Sequence, residues 1–278
     1  MALRLLVADG NDRDARDEHR AACGATSAER YAKTLIELAP DAACTLLAAA
    51  DADAALPEGV QAFDALFVTG SQLRLAEGGA HVTRQLDLMR AALDAGLAVF
   101  GSCWGVQLAA AVAGGEAGAN PAGPEYGFAR RVAATEAGRD HPLLAGRPPA
   151  YDAPAIHGDA ILRCPPGATV LAANGRVGVQ ALAIAHGTGL FWGTQYHPEL
   201  DLDELGTMVM LSTEAILEAG FCRDEEAVEA YAADLFALHG GDRPDLAWRH
   251  GLDAEVLETA HRRREIANFL ALVRARAG

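Results

Sequence analysis

Residues 97–115 read LAVFGSCWGVQLAAAVAGG: a short apolar run, a tight Gly101-Ser102-Cys103-Trp104-Gly105 turn, and a second apolar-rich segment of helical length. The pattern predicts a strand that ends abruptly in a helix, with a single cysteine at the corner. At such an elbow the bend pushes its side chain out of the packed layers, while the flanking glycines let neighbouring backbone come close. The helix that follows aims its first N–H groups and the positive end of its dipole at the sulfur, which favours thiolate over thiol. Cys103 is therefore the candidate nucleophile. Most free cysteines are only small buried hydrophobes, so the assignment depends on finding partners elsewhere in the chain.

Toward the N-terminus, residues 2–8 (ALRLLVA) and 64–69 (DALFVT) are apolar runs in the form of buried parallel strands. Between them, Ser27 to Leu38 has helical spacing with Ser27 as N-cap, and Ala43 to Ala49 reads as another strand. His81 to Ala95 supplies the helix that delivers the chain to the strand before Cys103. This alternation predicts an α/β fold with a doubly wound, mostly parallel sheet. Ligands in such sheets sit at the carboxyl ends of the strands, where Gly70 and Cys103 both fall. The charged stretch Asn11 to Arg20 (NDRDARDEHR) is polar on every face and is expected as a surface loop or helix edge.

Beyond Gly115, glycine and proline become frequent. Short runs at 128–133, 151–156, 168–173, 180–185 and 189–195 predict the far side of the sheet with antiparallel hairpins. From Asp203 onward the pattern is helical: 205–219, 224–239 and 254–276, the last with an apolar stripe through Val256, Leu257, Ile266, Phe269, Leu270 and Val273. The expected organisation is an α/β domain over 1–219 and a helical C-terminal extension over 220–278.

The chain has 278 residues, 51% of them apolar, and a formal net charge of −15. Phosphate would be repelled over most of such a surface, which argues against nucleic acid as a partner. No apolar run is long enough to span a bilayer and no leader pattern opens the chain, so a cytoplasmic protein away from membranes is expected. The five cysteines, Cys23, Cys44, Cys103, Cys164 and Cys222, are widely spaced and contain no C-x-x-C, which indicates neither a disulfide framework nor a zinc cage.

The partners for Cys103 come from Gly193-Thr194-Gln195-Tyr196-His197-Pro198-Glu199. A strand presents His197 at its end, and Pro198 stops the ladder there. The spacing His-x-Glu can set Glu199 on the ring edge away from the sulfur, giving nucleophile, base and orienting carboxylate. A metal role for His197 is not indicated, because no second His or Cys stands nearby at ligand spacing.

Gly101-x-Cys103-x-Gly105-x-Gln107, Gly114-Gly115, Glu125-x-Gly127, His157-Gly158-Asp159 and Gly193-x-Gln195-x-His197-Pro198-Glu199 together resemble the class I glutamine amidotransferase family. The resemblance runs from Gly70 to Glu199, and its His-Gly-Asp element is most similar to the amidotransferase portion of GMP synthetases. It implies a flavodoxin-like sheet and attack of Cys103 on the side-chain amide of glutamine, giving a γ-glutamyl thioester and ammonia. His197 would move the proton and Glu199 would orient His197. The backbone N–H of Trp104 and that of Gly70 or Ser71 would hold the oxyanion, with Gly70-Ser71 standing where the family more often has Gly-Gly. Gln107 would help hold the substrate, and His157 and Asp159 would either contact it or brace a turn. Trp104 shapes the pocket or packs on the surface; Ser102 points into the fold; Glu125 and Tyr126 order the adjoining loop or are structural.

Neither G-x-x-x-x-G-K-[ST] nor a Ser-Gly-Gly loop is present, so no ATP or other cofactor is expected. Three readings follow. The protein is a glutaminase that passes ammonia to a separate synthetase subunit, with the tail as a docking or homodimerisation surface; or a free-standing hydrolase of other γ-glutamyl amides; or a regulatory module with vestigial residues.

Overall fold

The computed structural model describes residues 2–56 and 58–278. Among these residues eleven strands run in chain order: β1 (Arg4–Asp9), β2 (Ala43–Ala48), β3 (Ala65–Val68), β4 (Ala98–Ser102), β5 (Glu116–Ala119), β6 (Glu125–Ala134), β7 (Ala150–His157), β8 (Asp159–Arg163), β9 (Thr169–Ala173), β10 (Ala181–His186) and β11 (Gly189–Thr194). Helices are α1 (Arg13–Cys23), α2 (Ser27–Leu38), α3 (Ala80–Asp94), α4 (Trp104–Val112), α5 (Glu136–Arg139), α6 (Leu202–Leu211), α7 (Thr213–Glu218), α8 (Glu225–Gly240), α9 (Pro244–His250), α10 (Ala254–Leu257), α11 (Thr259–Arg262) and α12 (Arg264–Ala277).

Nine strands form one sheet in the order β2-β1-β3-β4-β11-β10-β9-β6-β7. The half from β2 to β11 is parallel, with α2 leading into β2 and α3 into β4, and the half from β11 to β7 is antiparallel, with a tight turn joining β10 to β11. Strands β3 and β4 are buried on both faces, as their unbroken apolar runs require. Their carboxyl ends, and that of β11, share one rim: β11 runs in register with β4 from Leu190 opposite Ala98 to Thr194 opposite Ser102. That register brings the residues after Thr194 beside Cys103.

The short pair β5–β8 lies outside the expected runs; its sequences, EAGA and DAILR, are too brief and too mixed to show alternation. Helix α2 is capped by Thr26, not Ser27, in a reciprocal box with Glu29. The stretch expected as a surface loop or helix edge forms helix α1, held by an Asp12 N-cap and a left-handed Gly24 at its C-terminus.

The expected helical C-terminal region is present, and it packs into the body of the fold. Ile266, Phe269, Leu270 and Val273 of α12 belong to the core cluster that also contains Leu5, Phe67 and Phe100. The Phe269 ring lies 5.3 Å from Phe67 and 5.4 Å from Phe100. α8 joins α6 in a further cluster with Leu205, Val209, Val228 and Leu235. The boundary at 219/220 therefore separates no two cores, since the apolar stripe read along the tail is used against the main sheet. The single helix expected over 254–276 is broken at Glu258 and Arg263, which leave helical geometry as Arg262 and Arg263 turn toward Asp201.

Candidate active site

Cys103 occupies the elbow between β4 and α4 with φ 50 and ψ −99, a region that non-glycine residues rarely adopt. Two glycines make the bend possible. A Cβ at Gly101 would stand 2.6 Å from the Gly105 carbonyl carbon, and one at Gly105 would stand 2.9 Å from the Val68 oxygen. The Cys103 N–H donates to the Thr194 carbonyl at 2.7 Å, tying the elbow to β11.

His197 follows β11, and its backbone N–H donates to the Pro154 carbonyl at 2.8 Å. Its Nδ1 lies 2.8 Å from Glu199 Oε1; facing a carboxylate, Nδ1 carries the hydrogen and donates. Nε2 is buried with no hydrogen-bond partner among the described residues. Burial opposes charge on this ring, but the Glu199 carboxylate and the Cys103 sulfur outweigh it and hold the imidazole pKa up to about 10. The other oxygen of Glu199 accepts from the Ser102 hydroxyl at 2.7 Å, and Tyr31 stands 3.4 Å beyond. Ser102 thus points into the fold, as expected, and there it fixes the carboxylate.

A residue without an assigned role in the sequence reading also reaches the sulfur. Gln195 Nε2 donates to Cys103 Sγ at 3.4 Å, while its Oε1 accepts from Gln107 Nε2 at 3.3 Å. Gln107 donates as well to the Asp159 carbonyl at 3.2 Å. The spacing Gly-x-Gln-x-His at the end of a strand, where residues two apart tend to share a face, was the available signal, although Gln195 and His197 lie just past the last residue of β11.

Gly70 lies directly against the imidazole: a Cβ there would stand 2.6 Å from His197 Cε1. The Ser71 hydroxyl donates to the Gly10 carbonyl at 2.8 Å and accepts from the Leu73 N–H at 3.0 Å, so its side chain braces the loop. Trp104 is the first residue of α4, where an N–H has no intrahelical acceptor. Its ring is neither in the pocket nor on the surface: it is buried, and Nε1 donates to Gln85 Oε1 at 2.8 Å on α3. Both nitrogens of His157 have partners inside the protein, the Asp159 carbonyl and Glu125 Oε2, each at 3.0 Å. Burial pushes the Glu125 carboxyl up, but His157, Asn174 and Gln180 outweigh it and hold the group below its ordinary range. His157 therefore braces the wall, and Asp159 presents a carboxylate paired with Arg74 at 2.7 Å.

These groups line one cavity of about 480 Å³. Its lining includes Gly70, Ser71, Arg74, Gln107, His157 and Asp159, and also Asn11, His19, Arg30, Glu204, Met208 and Leu211. Asn11 and His19 come from the stretch expected at the surface, and both are buried. Arg30 binds Glu204 at 2.5 Å and Asp203 at 2.9 Å, so these charges of the lining are paired within the protein. Among the described residues no group of three His, Cys, Asp or Glu side chains is arranged to hold a metal ion, and no helix is long and apolar enough to cross a membrane.

A family model for glutamine amidotransferase class-I matches residues 41–214. A γ-glutamyl-L-1-hydroxyisopropylamide hydrolase from Pseudomonas sp is 30% identical over 274 residues, 96% of this chain and 92% of that protein. A glutamine-hydrolyzing GMP synthase subunit from Ignicoccus hospitalis is 35% identical over 111 residues, 40% of this chain and 55% of that protein. In fold, a glutamine amidotransferase from Thermotoga maritima superposes with a TM-score of 0.67 over 98% of both chains at 13% identity. The match begins before β2 and ends in α7, enclosing both the elbow cysteine and the histidine that β11 delivers to it, and the chain belongs to the class-I glutamine amidotransferase family, whose members are cysteine-dependent enzymes.

Proposed function

We propose that the protein hydrolyses the side-chain amide bond of γ-glutamyl amides whose leaving amine is larger than ammonia, through a thioester on Cys103. His197 Nε2 already holds the thiol proton, in line with its raised pKa, when Sγ attacks the γ-carbonyl carbon, while Glu199 holds the ring through Nδ1–H. The negative oxygen of the tetrahedral intermediate is held by the Trp104 N–H and by that of Gly70 or Ser71. As the C–N bond breaks, His197 returns the proton to the departing amine. Water, deprotonated by the same ring, then attacks the thioester and frees glutamate and the thiol. Gln195, donating to Sγ, steadies the thiolate.

The size of the cavity carries the choice of amide. At about 480 Å³ it falls in the range of about 300–1,000 Å³ typical of small-molecule sites, and its lining takes in Met208, Leu211 and Ala215 on α6 and α7 as well as Cys103. The similarity to the named Pseudomonas hydrolase supports the same reading, because it extends through the tail, whereas the similarity to the GMP synthase chain covers 40% of this one. That second similarity favours the other reading, a glutaminase feeding ammonia to a separate synthetase subunit; its docking surface would have to lie elsewhere than the α12 stripe, which faces the core. A cytoplasmic setting belongs to the same proposal and is supported by five free thiols.

A panel of glutamine, γ-glutamyl isopropylamide and bulkier γ-glutamyl alkylamides, run on wild type and Cys103→Ser with and without cell extract, tests the proposal. The expected outcome is a kcat/KM for an alkylamide at least about tenfold above that for glutamine, absent in the variant. Preference for glutamine, with a rate raised by extract, would replace it with the glutaminase reading.

A further inference from the structure

The six-residue segment that carries the proposed base and its carboxylate, Tyr196 to Asp201, is gripped at both ends by side chains from one short stretch of the tail. At the first end, the Tyr196 hydroxyl donates to Glu265 Oε1 at 2.8 Å. Glu265 is wholly buried and is itself fixed by Arg147, whose Nε and one terminal nitrogen lie 2.7 and 2.8 Å from its two oxygens. At the other end, the Asp201 carboxylate accepts from Arg262 at 2.9 Å and from Arg263 at 3.0 Å. Both arginines are buried. Asp201 stands at the N-cap position of α6 yet makes no capping bond with its side chain, which is turned to the arginines instead. Charge-assisted bonds of this kind, shielded from water, fix geometry more tightly than exposed ion pairs do.

We propose that Arg262, Arg263 and Glu265 are positioning residues: they set the spacing between His197 and Glu199, and through it the aim of the ring at Cys103. The grip lies outside the catalytic contacts, since Tyr196 and Asp201 flank the pair and touch neither the sulfur nor the cavity. It gives the tail a part in catalysis that requires no partner protein. The inference rests on the Cys103–His197–Glu199 relay proposed above, but not on which amide is cleaved.

The test uses Tyr196→Phe and Asp201→Asn in the full chain. Both keep side-chain shape, and in Tyr196→Phe the Glu265 oxygens remain bonded to Arg147. Two readouts are taken: kcat and KM on γ-glutamyl isopropylamide, and the rate of Cys103 alkylation by iodoacetamide at about pH 7 and about pH 9.5. The second needs no knowledge of the substrate, because an aligned imidazole supports thiolate at neutral pH whereas alkali forms it without help. Each variant is expected to lose about tenfold in kcat with KM within about twofold, and about tenfold in the ratio of alkylation rates at the two pH values. Arg274→Gln removes a different tail-to-body ion pair, that with Asp41, and is expected to lower Tm alone. Variants of Tyr196 and Asp201 that behave like Arg274→Gln, with Tm lowered but kcat and the alkylation ratio unchanged, would overturn the inference. An unchanged alkylation ratio in His197→Gln would instead sink the relay itself, which separates the two failures.

Discussion

Replacing Gly70 with alanine probes the site through one atom. The added Cβ would stand 2.6 Å from His197 Cε1, where an unstrained carbon–carbon contact is about 3.5–4.0 Å. Gly70 is not among the glycines with positive φ, so alanine fits its backbone and the whole conflict falls on the ring. The imidazole must retreat by about 1 Å. It cannot do so freely, because it is 3% exposed and bonded to Glu199 at 2.8 Å. Either that bond lengthens or Nε2 turns from the thiol, and a misplacement of about 1 Å costs about 100-fold in rate, equivalent to about 2.7 kcal/mol of transition-state stabilisation. The overpacking itself costs about 1–3 kcal/mol of stability. The assay is kcat/KM on γ-glutamyl isopropylamide together with thermal unfolding, with Gly178→Ala as control, since a Cβ there meets nothing within 4 Å. Gly70→Ala within about twofold of wild-type activity would refute the reasoning, because the ring would then tolerate displacement that base catalysis should not.

Glu199→Gln removes the charge that holds His197 up to about 10 against an ordinary value of 6.5, and activity should fall by about 100-fold or more. A raised pKa stabilises the fold fully below 6.5 and ceases to do so as pH rises through about 10; the Tm gap between wild type and Glu199→Gln should be widest in mild acid and close in alkali. Gln195→Leu deletes the donor to Cys103 Sγ and should reduce kcat about tenfold with little change in KM, read by steady-state kinetics. Phe269→Ala should cost about 3–5 kcal/mol in urea denaturation, and removal of residues 220–278 should abolish the cooperative transition, because the α12 side chains complete the main core. A truncated chain that unfolds cooperatively with wild-type midpoint would contradict that packing.

The parallel half of the fold was legible because its strands are buried on both faces and stand out as unbroken apolar runs, and because an elbow needs glycines where Gly101 and Gly105 stand. His197 and Glu199 were legible through their spacing and through Pro198. Gln195 was in view but unassigned, since its role depends on the register of β11 with β4, which is a property of two segments about ninety residues apart. The tail was misjudged for a physical reason: an apolar stripe on a helix shows that a face is buried and does not show against what. Val273 and Phe269 pack on the body of the same chain, and two members of the run Arg262-Arg263-Arg264 are buried on Asp201. The polar stretch at 11–20 misled in the same way, because His19 turns inward on a helix whose other faces are charged, and Asn11, just before that helix, is buried too.

The central claim is a γ-glutamyl thioester on Cys103, and acid quench during turnover of γ-glutamyl isopropylamide followed by mass spectrometry of the digested protein tests it most directly. The account predicts one γ-glutamyl group on the Cys103 peptide of the wild-type enzyme, and none in Cys103→Ala, which should also be inactive. Amide hydrolysis at the wild-type rate by Cys103→Ala, or a γ-glutamyl group carried on another residue, would contradict it.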